Sequence, residues 1–209
     1  MSDFVELMEE TTKIKIERLG FVIGEEYVGT REEQLLDILS AIGFYSEERN
    51  PDFYNYLIEE GFCTAPASTK YHGNYPGGLY DHSIEVARAL FGLTQKLDLK
   101  WKRYTSPIIV GMFHDLCKLD SYNAQEDENG NVTFSYRNDQ LLTGHGDKSI
   151  IILQRFACLT EEEMLCIRWH MGAFDDKDNW NYYSRAIEKY PNVLYTHTAD
   201  MIASKIKGI

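Results

Sequence analysis

The chain has 209 residues, of which 44% are hydrophobic and 26% are charged, a composition typical of a globular protein the size of one domain. Its formal charge is −12, from 33 acidic and 21 basic residues. A general surface for long nucleic acid is therefore not expected, because contacts with a phosphate backbone need clustered Lys and Arg. A local pocket for one nucleotide is still compatible with this charge, since a bound metal ion adds positive charge that residue counts miss.

Neither a membrane span nor a secretion signal is expected from the amino-acid sequence. No stretch approaches the roughly 20 apolar residues that cross a bilayer, and the acidic N-terminus lacks the basic start of a signal peptide. The cysteines are scattered and form no CxxC pair, which favours reduced thiols over a disulfide framework. We therefore expect a cytoplasmic protein without a membrane partner, whose free thiols are Cys63, Cys117, Cys158 and Cys166.

The first third of the chain predicts helices. Apolar spacing indicates a helix over residues 3–20, and residues 31–43 combine early acidic residues, an apolar stripe and a closing glycine. Pro51 is placed to open a further helix through residues 55–60, which would end at Gly61. We interpret residues 1–64 as an N-terminal helical extension.

The remainder predicts more helices, one loop and one β-hairpin. Residues 64–78 are rich in Gly and Pro and indicate a loop. Residues 122–137 alternate polar and apolar positions around a turn at 128–131, which predicts a hairpin. The expected fold class is therefore mainly α with a small β-hairpin. The predicted helices of this part cover residues 79–97, 105–119, 146–158, 160–172, 181–190 and 192–207.

The adjacent pair His114-Asp115 is the first feature that carries chemistry. It lies in a strongly apolar segment, where an isolated carboxylate is very costly unless it is paired or bound to a metal. On a helix the two side chains diverge by about 100°, so both reach one ion only if the ion sits between them. Lys118 follows at i+4 and i+3 and falls on the same side. The segment therefore predicts a metal site with a neighbouring cation.

Further histidines and an aspartate complete an ordered pattern, H…HD…H…H…D. This pattern resembles that of the HD-domain superfamily of metal-dependent phosphohydrolases. The segments at 65–87, 113–122 and 196–206 are similar to the HD domain of bacterial 3′-to-5′ exoribonucleases and of related phage and conjugation proteins. The resemblance covers about residues 65–206 and implies an HD-domain helical bundle over residues 65–209. The matching positions are His82, His114, Asp115, His145, His170 and Asp200.

The resemblance implies a two-metal centre. His82, His114, Asp115 and Asp200 would hold one ion, and His145 and His170 a second, with Asp115 bridging. Imidazole and carboxylate ligands suit Mn, Fe, Ni, Co or Zn without choosing among them. Asp115 and Lys118 would be the catalytic residues, with the lysine neutralising phosphate charge. The implied reaction is hydrolysis of a nucleotide, or of a short or cyclic oligonucleotide, by a metal-activated water.

Two departures from the family pattern bear on the site and the substrate. Cys117 stands where the family often has Gly directly before the lysine, so a larger side chain lies next to Lys118. The exoribonuclease relatives carry a separate OB-type nucleic-acid-binding domain, whereas here only about 60 helix-forming residues precede the HD-like region. Long RNA is therefore not the expected substrate.

Several residues outside the ligand set are candidates for substrate binding. His72, Tyr75, Gly77 and Gly78 could line the pocket beside His82, with an ordinary helix-entry loop as the alternative. Arg137 could contact a phosphate or a base, the alternative being a solvated loop position. His197 shares the helix face of Asp200 and could support the site or simply pack in the core.

Two other functions use much of the same machinery. Some superfamily members with all six ligands hold a di-iron pair and oxidise small organic substrates with O₂. A non-catalytic nucleotide-binding module is the third hypothesis, although such a module has no evident need for Lys118. Bound iron with O₂ consumption would favour the oxygenase, and phosphate-ester cleavage stimulated by Mn or Ni would favour the hydrolase.

Overall fold

The computed structural model describes residues 12–13, 15–21, 27–46 and 52–209. In these residues the chain is mainly α-helical with one two-stranded antiparallel sheet, which confirms the predicted fold class. Short 3₁₀ and π-helical segments connect or extend the main helices. The elements in chain order are α1 (Arg31–Ala41), α2 (Asp52–Glu59), α3 (Gly78–Leu97), α4 (Ser106–Phe113), β1 (Tyr122–Glu126), β2 (Val132–Tyr136), α5 (His145–Leu153), α6 (Glu161–Arg168), α7 (Trp180–Lys189) and α8 (Asn192–Met201).

The N-terminal helices follow the sequence prediction where they are described. Much of the helix predicted over residues 3–20 lies outside the described residues, as does Pro51; within them the chain is helical at 12–13 and 15–16 and continues as the π-helical segment Glu17–Phe21. Helix α1 begins with a capping box, in which the Thr30 hydroxyl accepts from the Glu33 N–H and the Glu33 carboxylate accepts from the Thr30 N–H.

Several helices end earlier than the apolar pattern predicted. The helix expected over residues 105–119 stops at Phe113, because Asp115 leaves helical geometry at φ −109° and ψ 22°; one 3₁₀ turn, Leu116–Lys118, follows. The helices expected over 146–158 and 160–172 likewise stop at Leu153 and Arg168. The helix expected over 192–207 changes to a π-helical segment after Met201. These predictions were wrong in length because buried turns carry the same apolar residues as helices.

The hairpin has the predicted position. Its register pairs Tyr122 with Tyr136 and Glu126 with Val132. The turn is closed by Asp127, whose carboxylate accepts from the N–H groups of Asn129 and Asn131, and Gly130 takes a left-handed φ of 81°. The strands follow directly on the Leu116–Lys118 turn, so the hairpin is attached at the edge of the histidine cluster described below.

Helix α3 is the centre of the helical packing and contacts α4 and α8 most extensively. The α3–α4 crossing is close because Gly111 faces Ala87: a Cβ built on Gly111 would lie 2.3 Å from the Ala87 Cα. No larger residue fits there without moving one of the helices. The crossing therefore sets the distance between the two helices that carry His82 and His114.

The N-terminal helices share this core. Phe53 of α2 is fully buried, with its ring centroid 5.3 Å from that of Phe113 and 5.0 Å from that of Phe156. Two polar contacts join α1 to α3. The Arg31 guanidinium donates two hydrogen bonds of 2.8 Å to the Asp81 carboxylate. The buried Tyr80 hydroxyl donates to the side-chain oxygen of Gln34. Across the described part of the chain, no helix is long and apolar enough to span a bilayer.

Candidate metal centre

Histidine and aspartate side chains from five parts of the chain meet at one buried place. His82 comes from α3, His170 from the turn after α6, and Asp200 from α8, while His145 begins α5. His114 and Asp115 stand where α4 ends. Among the described residues, three groups of side chains have ligand atoms all within 4.8 Å of one another and could hold a metal ion. They are His82–His114–Asp115, His114–His170–Asp200 and Asp115–Cys117–His145.

Asp115 lies at the centre of the cluster and its two oxygens face different neighbours. Oδ2 is 3.4 Å from Nε2 of His114 and 3.8 Å from Nε2 of His82. Oδ1 is 3.5 Å from Nε2 of His170 and 3.8 Å from Nδ1 of His145. The division of contacts fits a carboxylate that bridges two positions.

The Asp200 carboxylate lies near the histidines that face Oδ2 of Asp115. Its Oδ1 lies 3.3 Å from Nε2 of His82, and it also falls within one group with His114 and His170. Ligand atoms that share an ion at about 2.0–2.2 Å are separated from each other by roughly 3–3.5 Å. The separations in the cluster are at or slightly above this range, so a small movement of each side chain would close them around an ion.

Three of the imidazoles present an unused nitrogen to this space. Nε2 of each of His82, His114 and His170 is buried and has no hydrogen-bond partner in the part of the chain that the structure describes. The opposite nitrogen, Nδ1, contacts a backbone carbonyl in each case: Ile209 for His82, Gly111 for His114 and Ile167 for His170, at 2.8–2.9 Å. A carbonyl only accepts, so Nδ1 carries the proton and Nε2 keeps its lone pair. This is the arrangement that orients a histidine as a metal ligand.

The electrostatics hold the carboxylates in their ionised form. Burial alone would raise the pKa of Asp115, but the Lys118 ammonium outweighs it and holds that pKa well below its usual range. Burial likewise opposes ionisation of Asp200, whose pKa nevertheless lies below its usual range beside His82. Burial lowers the pKa of His114, which keeps the imidazole neutral. Ionised carboxylates and neutral imidazoles are the states in which these groups bind metals.

Lys118 is part of this centre. Its side chain is buried and Nζ lies 2.6 Å from Oδ2 of Asp115. Burial would lower the lysine pKa, yet the neighbouring carboxylate raises it, so Lys118 is a cation. It supplies the positive charge that a buried carboxylate requires.

His145 and Cys117 form the more open side of the cluster. The side chain of His145 is 52% exposed, in contrast to the buried His82, His114 and His170. Cys117 is buried, and its Sγ lies 3.4 Å from Nδ1 of His145 and 3.8 Å from Oδ1 of Asp115. Contact with Asp115 and then with Cys117 raises the pKa of His145 to about 10.

The predicted substrate-binding residues are placed in different ways. His72 lies beside the cluster, with its ring centroid 4.8 Å from that of His82, and burial together with His82 and Lys118 lowers its pKa to about 4. Tyr75 instead donates its hydroxyl to Asp81, on the contact that ties α1 to α3. Arg137 pairs with the exposed Asp139 at the end of the hairpin.

The two glycines of the entry loop have a packing reason in this structure. A Cβ on Gly78 would lie 2.0 Å from the carbonyl oxygen of Gly73, and one on Gly77 would collide with the Arg31 guanidinium. Their N–H groups are donated to the carbonyls of Tyr75 and Thr64. These donors are therefore engaged within the loop rather than directed toward an anion.

Other residues support the cluster, among them His197, for which the sequence left both support of the site and core packing open. Gly111 supplies both the close helix crossing and the carbonyl that binds His114. His197 contacts the carbonyl of His170 through Nδ1 at 2.8 Å, so it supports the turn that carries that ligand. Gly146 permits close packing against the Arg168 carbonyl at the end of α6. The sequence gives little sign of such contacts. Any residue three positions before a histidine can supply the carbonyl, and an isolated glycine within a helix does not by itself indicate close packing.

Comparison with known proteins adds no relative: no protein-family model, no curated protein and no solved structure matches this chain. The resemblance to HD domains therefore rests on the spacing of the motif residues and on the metal-compatible cluster that they form.

Proposed function

We propose that this chain is an HD-type metal-dependent phosphohydrolase that acts on a nucleotide or on a short or cyclic oligonucleotide. The observation that carries the proposal is the set of three buried, unpartnered Nε2 atoms, from His82, His114 and His170, that surround the carboxylates of Asp115 and Asp200. Buried polar atoms normally have partners, and several together are costly unless a ligand satisfies them. Two metal ions, one beside His82 and His114 and one beside His170, would satisfy all three.

The residues divide into two sets that fit two ions. His82, His114, Asp200 and Oδ2 of Asp115 would hold one, while His145, His170 and Oδ1 of Asp115 would hold the other. Bound divalent ions would supply Lewis acidity, which activates water and polarises a phosphate ester. Imidazole and carboxylate ligands are compatible with Mn, Fe, Ni, Co or Zn.

Residues beside the cluster would favour the binding of an anionic substrate. Lys118 holds Asp115 in a fixed orientation and brings a buried positive charge next to the cluster. His145 lies at the exposed edge, where a substrate phosphate could approach. His72 remains neutral beside His82 and can donate or accept one hydrogen bond without adding charge. These roles make the site locally suited to phosphate in a chain whose net charge is −12.

Two small cavities formed by described residues border the open side of the cluster. One of about 80 Å³ is bordered by Cys117, Gly144 and His145, and another of about 190 Å³ is bordered by Lys118, Tyr122 and Phe134. Both are smaller than the roughly 300–1,000 Å³ of pockets that enclose a whole drug-sized ligand. We infer that the site takes a phosphate-bearing end or a single nucleotide unit rather than a long strand.

The test is a metal-supplemented screen of the whole chain against mononucleotides, cyclic nucleotides and short linear or cyclic oligonucleotides. We expect cleavage of at least one phosphate ester with Mn²⁺, Co²⁺, Ni²⁺ or Zn²⁺, and its loss after chelation. Asp200→Asn should reduce turnover by a factor of 100 or more, because it removes a carboxylate ligand but leaves the Lys118–Asp115 pair intact. The matched control is Asp139→Asn, an equal change at an exposed position paired with Arg137, which should retain turnover.

The competing functions give different results in the same preparations. O₂ consumption by the iron-loaded chain without ester cleavage would identify an oxygenase and overturn the proposal. Metal-dependent nucleotide binding without turnover of any ester would identify a binding module. Turnover that Asp200→Asn leaves unchanged would exclude the cluster as the reacting site.

A further inference from the structure

The thiol of Cys117 is the feature of the cluster that the HD pattern does not explain. Cys117 stands in the buried turn Leu116–Lys118, where the family often has Gly. Its Sγ lies 3.4 Å from Nδ1 of His145 and 3.8 Å from Oδ1 of Asp115, and the last two atoms are 3.8 Å apart. One sulfur, one nitrogen and one oxygen thus form a nearly equilateral triangle.

The dimensions of this triangle match one face of a metal coordination tetrahedron. With bonds of about 2.3 Å to sulfur and about 2.1 Å to nitrogen or oxygen, tetrahedral ligands are separated by roughly 3.4–3.6 Å. The observed separations of 3.4, 3.8 and 3.8 Å are at this size or slightly larger. A bound ion would draw the three atoms together by a few tenths of an ångström, which is within reach of side-chain motion.

His170 offers a further candidate ligand atom near the same oxygen, Oδ1 of Asp115. Nε2 of His170 is buried, has no hydrogen-bond partner and lies 3.5 Å from Oδ1 of Asp115. Its opposite nitrogen is held by the carbonyl of Ile167, so the free lone pair faces the cluster. This unpaired nitrogen beside Oδ1 of Asp115 is independent of the thiol–imidazole contact and points to a ligand on this side of the carboxylate.

Hydrogen bonds through Ser149 fix the position of Cys117 relative to His145. The Cys117 N–H donates to Oγ of Ser149 at 3.0 Å, and that hydroxyl donates to the carbonyl of His145, also at 3.0 Å. Ser149 is fully buried and therefore fixes the turn that carries Cys117 against the first turn of α5. Both side chains are thus preorganised on the same side of Asp115.

We propose that Cys117 is a direct thiolate ligand of the ion held by His145, His170 and Asp115, which makes this position a mixed sulfur, nitrogen and oxygen site. The inference rests on the proposed metal centre and deepens it. A thiolate ligand selects softer ions, so this position prefers Zn²⁺ or Co²⁺ to Mn²⁺ or Mg²⁺. Within the described part of the chain, the metal-compatible groups that contain His82, His114 and Asp200 include no sulfur, so that position retains the broader preference of imidazole and carboxylate.

Cobalt(II) titration of the metal-free chain tests this ligand directly. A thiolate ligand produces near-ultraviolet sulfur-to-cobalt charge transfer, whereas visible d–d absorption reports any bound cobalt. We expect both in the wild-type chain. Cys117→Ser should lose the charge-transfer absorption and keep the visible bands, with an affinity for Zn²⁺ at this position lowered by about 10- to 100-fold or more. Cys158→Ser is the matched control, since Cys158 is an exposed free thiol, and it should behave as wild type.

The outcomes separate this inference from the proposed function. Visible cobalt bands without charge transfer in the wild type, or charge transfer that persists in Cys117→Ser, would overturn the thiolate ligand and leave the metal centre in place. If no cobalt bound to the wild-type chain, both proposals would be wrong. Thermal melting of the metal-free Cys117→Ser and Cys117→Ala variants identifies any loss of folding. The cobalt titration is then made with the variant that is folded.

Discussion

Individual side chains in the cluster are held in place by partners that determine their charge and orientation. The Asp115 carboxylate is buried and would be unstable without the Lys118 ammonium 2.6 Å away. The same carboxylate oxygen, Oδ2, faces His82 and His114. Lys118 therefore occupies, in the metal-free chain, an oxygen that the proposed ion would also use.

This competition predicts the behaviour of Lys118→Met. The substitution leaves the Asp115 carboxylate buried without a cation, which should lower the free energy of unfolding of the metal-free protein by about 3–5 kcal/mol. Added Zn²⁺ or Mn²⁺ should raise the melting temperature of the variant more than that of the wild type, because the ion replaces the missing charge. Thermal unfolding with and without metal measures both effects.

The control for this prediction is Lys148→Met. Lys148 is also a buried lysine, but it pairs with Asp120. Its loss should destabilise the fold while leaving the metal-dependent rise in melting temperature at the wild-type value. Equal stabilisation of wild type and Lys118→Met by metal would show that Lys118 does not share Asp115 with an ion.

At the scale of elements, the ends of two short helices, α4 and α6, determine where His114 and His170 lie. Helix α4 ends at Phe113 and α6 ends at Arg168, one and two residues before His114 and His170. In both cases Nδ1 of the histidine contacts the carbonyl three residues earlier. The end of the helix thus orients the ring, and the next residues turn away from the helix axis so that the cluster stays open to ligands from α3, α5 and α8.

Gly111 tests whether this placement depends on the helix crossing. Gly111→Ala would place a Cβ 2.3 Å from the Ala87 Cα, so the α3–α4 crossing must widen, at a cost of about 1–3 kcal/mol. The movement also displaces His114 relative to His82, and we expect weaker metal binding at equal temperature. Chemical denaturation and metal titration of the folded variant measure the two consequences.

Gly92→Ala provides the comparison. Gly92 lies in α3, and a Cβ there meets nothing within 4 Å. Alanine should stabilise this helix position by about 0.5–1 kcal/mol and leave metal affinity unchanged. If Gly111→Ala were as well tolerated as Gly92→Ala, the close crossing would not be what sets the spacing of the ligands.

At the scale of the molecule, buried polar contacts join segments that are distant in the sequence. Glu163, fully buried in the first turn of α6, accepts from the Arg103 guanidinium and the Ser106 hydroxyl, and it caps α6 with Thr160. Burial would raise its pKa, but these donors outweigh it and lower the pKa. The contact holds α4 against α6, the two helices that end just before His114 and His170.

The direction of this shift predicts how stability depends on pH. A carboxyl with a lowered pKa in the folded state stabilises the fold above its ordinary pKa of about 4.3, and that contribution is lost as the pH falls below that value. Glu163→Gln should lower the free energy of unfolding at pH 7 by about 1–3 kcal/mol and flatten its decline at acid pH. Denaturation curves between pH 7 and 3 measure the difference.

Glu161→Gln is the control for the acid prediction. Glu161 lies in the same first turn of α6 but is exposed, and it pairs with Lys189 across the surface. Solvent screens such a pair, so its loss should change stability and its pH dependence less than the loss of Glu163. The same acid dependence in wild type and Glu163→Gln would contradict the assignment.

The resemblance to HD domains and the local patterns predicted much of this molecule. The helical class, the hairpin around residues 128–131 and the acidic first turn of α1 follow from periodicity, turn residues and helix-end charge, which act over a few positions. The ordered motif also selected the six ligand candidates, and the fold brings all of them to one place. Helix ends at Phe113, Leu153 and Arg168 were missed because an apolar residue in a buried turn looks the same as one in a helix.

The amino-acid sequence by itself therefore determined the helical class and the residues available to bind a metal. The tertiary structure alone decided which atoms face one another. The free Nε2 atoms, the two-sided contacts of Asp115 and the approach of Cys117 to His145 join segments far apart in the chain. Such contacts depend on helix crossings and on where helices end, and therefore on packing between distant segments, which local patterns do not encode.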